Sequence, residues 1–215
     1  AERLLRATRR LIFEEVFFLQ LRLAVERHRM RAAARGAIRF EVDQLAASLK
    51  PGSDLDQMRL APQREVASRA RATAADPQAS SLSASILAGL PYRLTEDQRS
   101  ALMDILRDMS KVGGRTYPMN RLLQGDVGSG KTIVGLMAML VAVENGYQCA
   151  LMAPTEVLAG QHYATISKIL EGTPIRCTLL IGGQTKRVRE AVLDGIASGE
   201  SHIVIGTHEI GRAHV

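Results

Sequence analysis

Only two cysteines, Cys149 and Cys177, occur in 215 residues, and both stand inside apolar, strand-like segments. They read as buried thiols rather than as a disulfide or a metal site. No apolar run reaches the ~18 residues that a membrane-spanning helix needs, and no charged-then-apolar leader precedes a cleavage site. The expectation is a soluble, cytoplasmic protein. No internal repeat, heptad array, Ser/His/Asp set or metal-ligand constellation stands out either, which leaves few chemistries open.

What is present is enough apolar sequence for a core, 46% of the chain, and an excess of positive charge, +6. The charge is unevenly placed: residues 1–91 hold 15 Lys and Arg against 10 Asp and Glu. That tilt is compatible with nucleic-acid contact and equally with a solvated arginine-rich surface. Because the chain starts without Met and stops abruptly, it reads as a piece of something longer.

The most informative stretch is Met119-Asn-Arg-Leu-Leu-Gln-Gly-Asp-Val-Gly-Ser-Gly-Lys-Thr132. Gly125 to Thr132 fits G-x-x-x-x-G-K-[S/T] at every fixed position, after a short apolar strand expected at Arg121 to Gln124 and before an apolar helix expected from Ile133 to Asn145. Gly125, Gly128 and Gly130 allow turns that let the backbone N–H groups of this loop, through Asp126, Val127 and Ser129, point inward at phosphate oxygens. The following helix adds its unpaired N–H groups and positive dipole end. Lys131 would reach the β/γ-phosphates and the Thr132 hydroxyl would ligate Mg²⁺. The spacing therefore points to a nucleotide site with Mg²⁺.

Around this motif the chain divides by pattern. Residues 3–34 read as a long helix with apolar positions on more than one side, and 38–49 as one more short element. Lys50 to Ser85 is rich in Pro, Ser, Ala, Asp and Arg, and reads as mobile linker over about thirty residues with a frayed helix near 64–75. Helices are expected at Leu82 to Leu90 and from Thr95 to about Ser110. There Thr95-x-x-Gln98 is a capping-box pattern, so Gln98 either returns to the Thr95 backbone or presents donor and acceptor to an adenine edge. Beyond the loop, strands at 148–153, 175–181 and 202–205 alternate with helices at 155–170 and 185–198. With 121–124 these make four strands of an α/β parallel sheet with flanking helices, whose ligands gather at the carboxyl strand ends.

Tyr92-x-Leu94-Thr95-x-x-Gln98, the loop from Met119 to Thr132, Met152-Ala-Pro-Thr-Glu-Val-Leu-Ala-Gly-Gln-His162 and Gly206-Thr-His208 together resemble the RecG family of ATP-dependent DNA helicases, in helicase superfamily 2. The helix Arg10-Leu-Ile-Phe-Glu-Glu-Val-Phe-Phe-Leu-Gln20 is similar to the one joining that family's wedge domain to its motor. The resemblance covers about 1–40 and 82–209. Transcription-repair coupling factor has a similar strand before Gly-Asp-Val-Gly, but Asn120, Gln124 and Pro154-Thr155-Glu156 look more like RecG. A non-hydrolytic nucleotide-binding module and a metabolic P-loop kinase are the other readings, the kinase opposed by the loops at 154–156 and 206–208.

The resemblance implies an incomplete RecA-like P-loop domain preceded by a long linker helix. Residues 1–49 would link a wedge domain to the motor, 50–81 would be a flexible linker, and 82–215 the N-terminal part of the first helicase domain. Gln98 would read adenine, with Tyr92 or Arg93 on the base. Pro154, Thr155, Gly183 and Thr207 would touch the DNA backbone, with Lys186, Arg187 and Arg189 either adding phosphate contacts or forming an exposed basic helix start. His162 and His208 read as structural or weak polar contacts. The implied partners are branched double-stranded DNA, including replication forks and four-way junctions, and the wedge and second helicase domains. The Asp-Glu segment and the arginine finger would lie outside the chain, so the isolated polypeptide is expected to bind ATP or ADP weakly and to lack significant ATPase. Ile210-Gly-Arg-Ala-His-Val215 resembles a translated sequencing adapter, and native sequence is expected to end near Glu209. The linker at 50–81 departs from the family pattern, so no contact is carried over there.

Overall fold

The computed structural model describes residues 40–50, 53, 81–110 and 119–208. The helix read at 3–34, the linker residues 51–52 and 54–80, and the tail 210–215 lie outside the described residues. Within 38–49, α1 spans Asp43–Ser48. Two helices then precede the phosphate loop, α2 at Leu82–Gly89 and α3 at Glu96–Met109, and α4 follows it at Lys131–Glu144. The remainder alternates β1 (Cys149–Met152), α5 (Glu156–Ile169), β2 (Cys177–Leu180), α6 (Lys186–Ala197) and β3 (Ile203–Gly206).

Local chemistry explains the helix starts. Ser81, Thr95 and Thr155 each accept a hydrogen bond from the backbone N–H three residues on, which satisfies a donor that the first helical turn leaves open. At α3 the box is reciprocal, since Gln98 Oε1 also accepts from Thr95 N at 2.9 Å. The α2 start gains a second anchor across the fold. Glu144, at the end of α4, accepts from Ser83 N at 2.7 Å and from the Ser81 and Ser83 hydroxyls at 2.8 Å each. A carboxylate there satisfies open N–H groups and complements the positive end of the helix dipole.

The sheet is parallel, with order β1-β3-β2 and Met152, Gly206 and Leu180 level at its carboxyl edge. Every residue of β3 is buried because it is central and covered on both faces. Ile203 and Ile205 point into the main core with α4 and α5, while Val204 points the other way to Leu180 and Ile196 under α6. α4 is apolar nearly all round, as a helix packed between layers must be, with α2 and α3 on one side and β1 on another. Val42, Leu45 and Leu49 join the same core from the α1 segment.

The strand expected at Arg121 to Gln124 is not formed, so the sheet has three strands among the described residues rather than four. A strand exists through its ladder, and no described strand pairs with this segment. It is tethered by side chains instead. Arg121 donates to the mostly buried Asp108 carboxylate of α3 at 2.9 and 2.6 Å, and Leu123 packs on the core. Leu122 is 59% exposed.

Candidate nucleotide and nucleic-acid site

The loop from Gly125 to Gly130 leads directly into α4, with Gly130 as N-cap and Lys131 as its first residue. Gly128 and Gly130 have φ of 82° and 77°, in the left-handed region that side chains resist, and this is why those two positions carry no Cβ. Ser129 N donates to Asp126 O at 3.1 Å and closes the turn. Lys131 Nζ lies against the loop itself, donating to Gly125 O at 2.9 Å and Asp126 O at 2.6 Å. No carboxylate among the described residues pairs with that ammonium. It is a cation held by neutral carbonyls at the head of a helix, an arrangement suited to an anion.

Gln98 reaches the loop from α3. While its Oε1 holds the Thr95 backbone, its Nε2 donates to Ser129 O at 2.7 Å. The capping bond and a tie to the phosphate loop thus coexist, and both ends of the amide are engaged. A Cβ at Gly130 would meet Gln98 Nε2 at 2.3 Å, so a side chain there would push the glutamine tip aside as well as strain the backbone. Tyr92 and Arg93 lie exposed just ahead of the same helix, while Val127 stands fully exposed at the loop tip and Thr132 is half-buried.

At the sheet's carboxyl edge three loops stand side by side. Ala153 N donates to Gly206 O at 2.8 Å, so the turn at Pro154 and Thr155 runs beside Thr207. Gly183 N donates to Glu156 Oε1 at 3.2 Å, which draws the 182–183 turn to the start of α5. Pro154, Thr155 and Gly183 are exposed, whereas Thr207 is 5% exposed. Gln184 fixes the second turn, accepting from Ile181 N and donating to Leu179 O. Glu156, in sequence only a member of the motif at 154–156, and Gln184 shape this edge without having been singled out there. An acidic residue after a threonine cap is an ordinary helix start, and a lone glutamine beside two glycines carries no motif.

His162 is on α5 and His208 follows Thr207, apart from the phosphate loop in sequence and element. Lys186, Arg187 and Arg189 open α6, and Lys186 pairs with Glu190 at 3.8 Å on the exposed face. Burial pushes both thiols up to about 11, so Cys149 and Cys177 are protonated at neutral pH and are not poised as nucleophiles. Among the described residues no group of three or more His, Cys, Asp or Glu could hold a metal ion, and no helix is long and apolar enough to cross a membrane.

The DEAD/DEAH box helicase family model matches residues 95–215, more than half of the chain. The ATP-dependent DNA helicase RecG of Borreliella burgdorferi is 47% identical over 125 residues, 58% of this chain and 18% of that protein. RecG of Synechocystis is 35% identical over 209 residues, 97% of this chain and 20% of the relative. A solved structure of RecG bound to a three-way DNA junction superposes with a TM-score of 0.54 at 36% identity, covering 73% of this chain and 21% of that one. The chain thus spans about a fifth of the length of these relatives. A loop of the phosphate-loop pattern, a parallel α/β sheet and these likenesses agree, and the chain belongs to the DEAD/DEAH box helicase family, with RecG proteins among the members it resembles.

Proposed function

We propose that this chain carries the phosphate-binding part of the ATP site, and part of the DNA track, of a double-stranded DNA translocase that remodels stalled replication forks and branched recombination intermediates. The observation that carries the reading is Lys131, held at the head of α4 on the loop's own carbonyls with no carboxylate partner among the described residues. That geometry suits ATP. Lys131 would turn from Gly125 O and Asp126 O to the β/γ-phosphates, the N–H groups of 125–130 would line the remaining oxygens, and Thr132 would hold Mg²⁺ together with the nucleotide. Held there, Mg²⁺ would supply charge neutralisation at the transferred phosphate.

Gln98 would exchange one of its two internal bonds for the adenine edge, with Tyr92 or Arg93 packing on the base. Gln98→Glu keeps the acceptor for Thr95 N and removes the donor that now serves Ser129 O. ATP affinity should fall about three- to tenfold, the worth of one net hydrogen bond, while α3 keeps its cap. Nucleotide titration checks this, and unchanged affinity would confine Gln98 to its cap and its tie to Ser129 O.

Pro154, Thr155, Gly183 and Thr207 would meet the DNA backbone, a mode without sequence information that can be remade at each step. Thr207 is buried, so its part would need the strand ends to adjust. Differential contacts of these loops in two inter-domain states would pass the duplex along. The wedge and second helicase domains would be the partners within the longer protein, and the cytoplasm its compartment. The likeness to RecG, one of whose structures holds a three-way junction, supports branched DNA as substrate. The test is ATP hydrolysis by the complete protein carrying this chain, with linear and branched DNA added in turn. Stimulation that is greater with branched DNA is expected; hydrolysis indifferent to DNA would sink the reading.

A further inference from the structure

Glu156 holds the second turn of the carboxyl edge in a way its sequence position does not require. Its Oε1 accepts from Gly183 N at 3.2 Å. A Cβ placed on Gly182 would sit 3.1 Å from Oε1, and one on Gly183 would sit 3.4 Å from Oε2, so both carboxylate oxygens lie against the backbone of the glycine pair. At Gly182 a side chain would be crowded by the carboxylate, while at Gly183 the distance is an ordinary contact. Glu156 is solvent-exposed, yet no Lys or Arg among the described residues forms an ion pair with it. Nor does the turn depend on it for shape, since Gln184 pins residues 179–184 with both ends of its amide. The α5 start has its own cap in Thr155.

We propose that Glu156 is a positioning residue that occupies, as an internal anion, the place at the Gly183 amide that a DNA backbone phosphate takes, so that duplex entry displaces it. The proposal rests on the reading of Thr155 and Gly183 as DNA track. A carboxylate and a phosphate present the same charged acceptor to an N–H group, and one amide cannot serve both. The two anions also repel at contact distance, which makes occupancy by one or the other a two-state choice. The carboxylate returns when the phosphate leaves, so the Gly183 amide stays satisfied as the backbone moves past.

The test is fluorescence anisotropy of the complete protein with a labelled three-way junction, comparing wild type with Glu156→Gln and Glu156→Ala at two salt concentrations. Gln keeps the side chain's shape and loses its charge, while Ala frees the amide altogether. Both should bind the junction about three- to tenfold more tightly at low salt, with the gain shrinking as salt screens the lost repulsion. Glu200→Gln, which removes an equal charge elsewhere on the surface, should give a smaller gain. Wild-type binding with unchanged or weaker binding by both Glu156 variants overturns the proposal alone. Equal gains from Glu156→Gln and Glu200→Gln overturn it as well, because generic charge would then suffice. Failure of wild type and variants alike to bind the junction overturns both the proposal and the DNA reading beneath it.

Discussion

Lys131→Ala should lower ATP hydrolysis by the complete protein by about 10²-fold or more, the scale on which removal of one preorganised charge-stabilising donor is felt. Lys131 is the first residue of α4, and its Nζ is already inside the loop at 2.6–2.9 Å from two carbonyl oxygens. No second Lys or Arg lies between Gly125 and Thr132 to take its place. The loss should fall on hydrolysis and nucleotide affinity rather than on folding. The bonds it gives up are to exposed carbonyls that water can satisfy, so the stability change should stay within about 0.5 kcal/mol. DNA affinity without nucleotide should be preserved, because the loops at 154–156 and 182–183 are built from other elements. Hydrolysis assays paired with a thermal melt check both halves. Retention of more than about a tenth of wild-type hydrolysis would deny Lys131 its role.

Much of this arrangement was legible in the sequence because it rests on local rules. Thr95, Thr155 and the glycine at 130 mark helix starts through hydrogen bonds and backbone angles that involve only a few residues on either side. The alternation after Gly146 gave the parallel sheet, since each short apolar run is separated from the next by one helix. What escaped were features decided by distant partners. The run Arg121 to Gln124 has the composition of a strand, but a strand needs a neighbour, and composition cannot supply one. Gln98 posed as a choice between cap and ligand contact, and the structure adds a third role, the bond to Ser129 O across 31 positions. Glu156 to Gly183 spans 27 positions and no motif links them. Burial of Thr207 likewise follows from the centrality of β3, a consequence of strand order rather than of sequence order.

The same distinction sets the expected cost of Leu140→Ala. Leu136, Met137, Leu140 and Val141 are fully buried in the middle of α4, which α2, α3 and β1 all contact. Truncation removes apolar contact and leaves a cavity that three packed layers cannot easily close, at a cost of about 2–5 kcal/mol. Against a typical domain stability of about 5–15 kcal/mol, that is a large fraction. With a urea m-value of about 2 kcal/mol/M, the middle of the usual range, the unfolding midpoint should drop by roughly 1–2.5 M. Val188→Ala, at a residue 49% exposed on α6, is the comparison and should stay within about 0.5 kcal/mol. Leu140 is nine residues beyond Lys131, about 13 Å along the helix axis, so it touches no part of the loop. Nucleotide affinity measured well below the melting transition should therefore be unchanged. A shift in affinity as large as the shift in stability would mean that the α4 core sets the loop's geometry as well as its persistence.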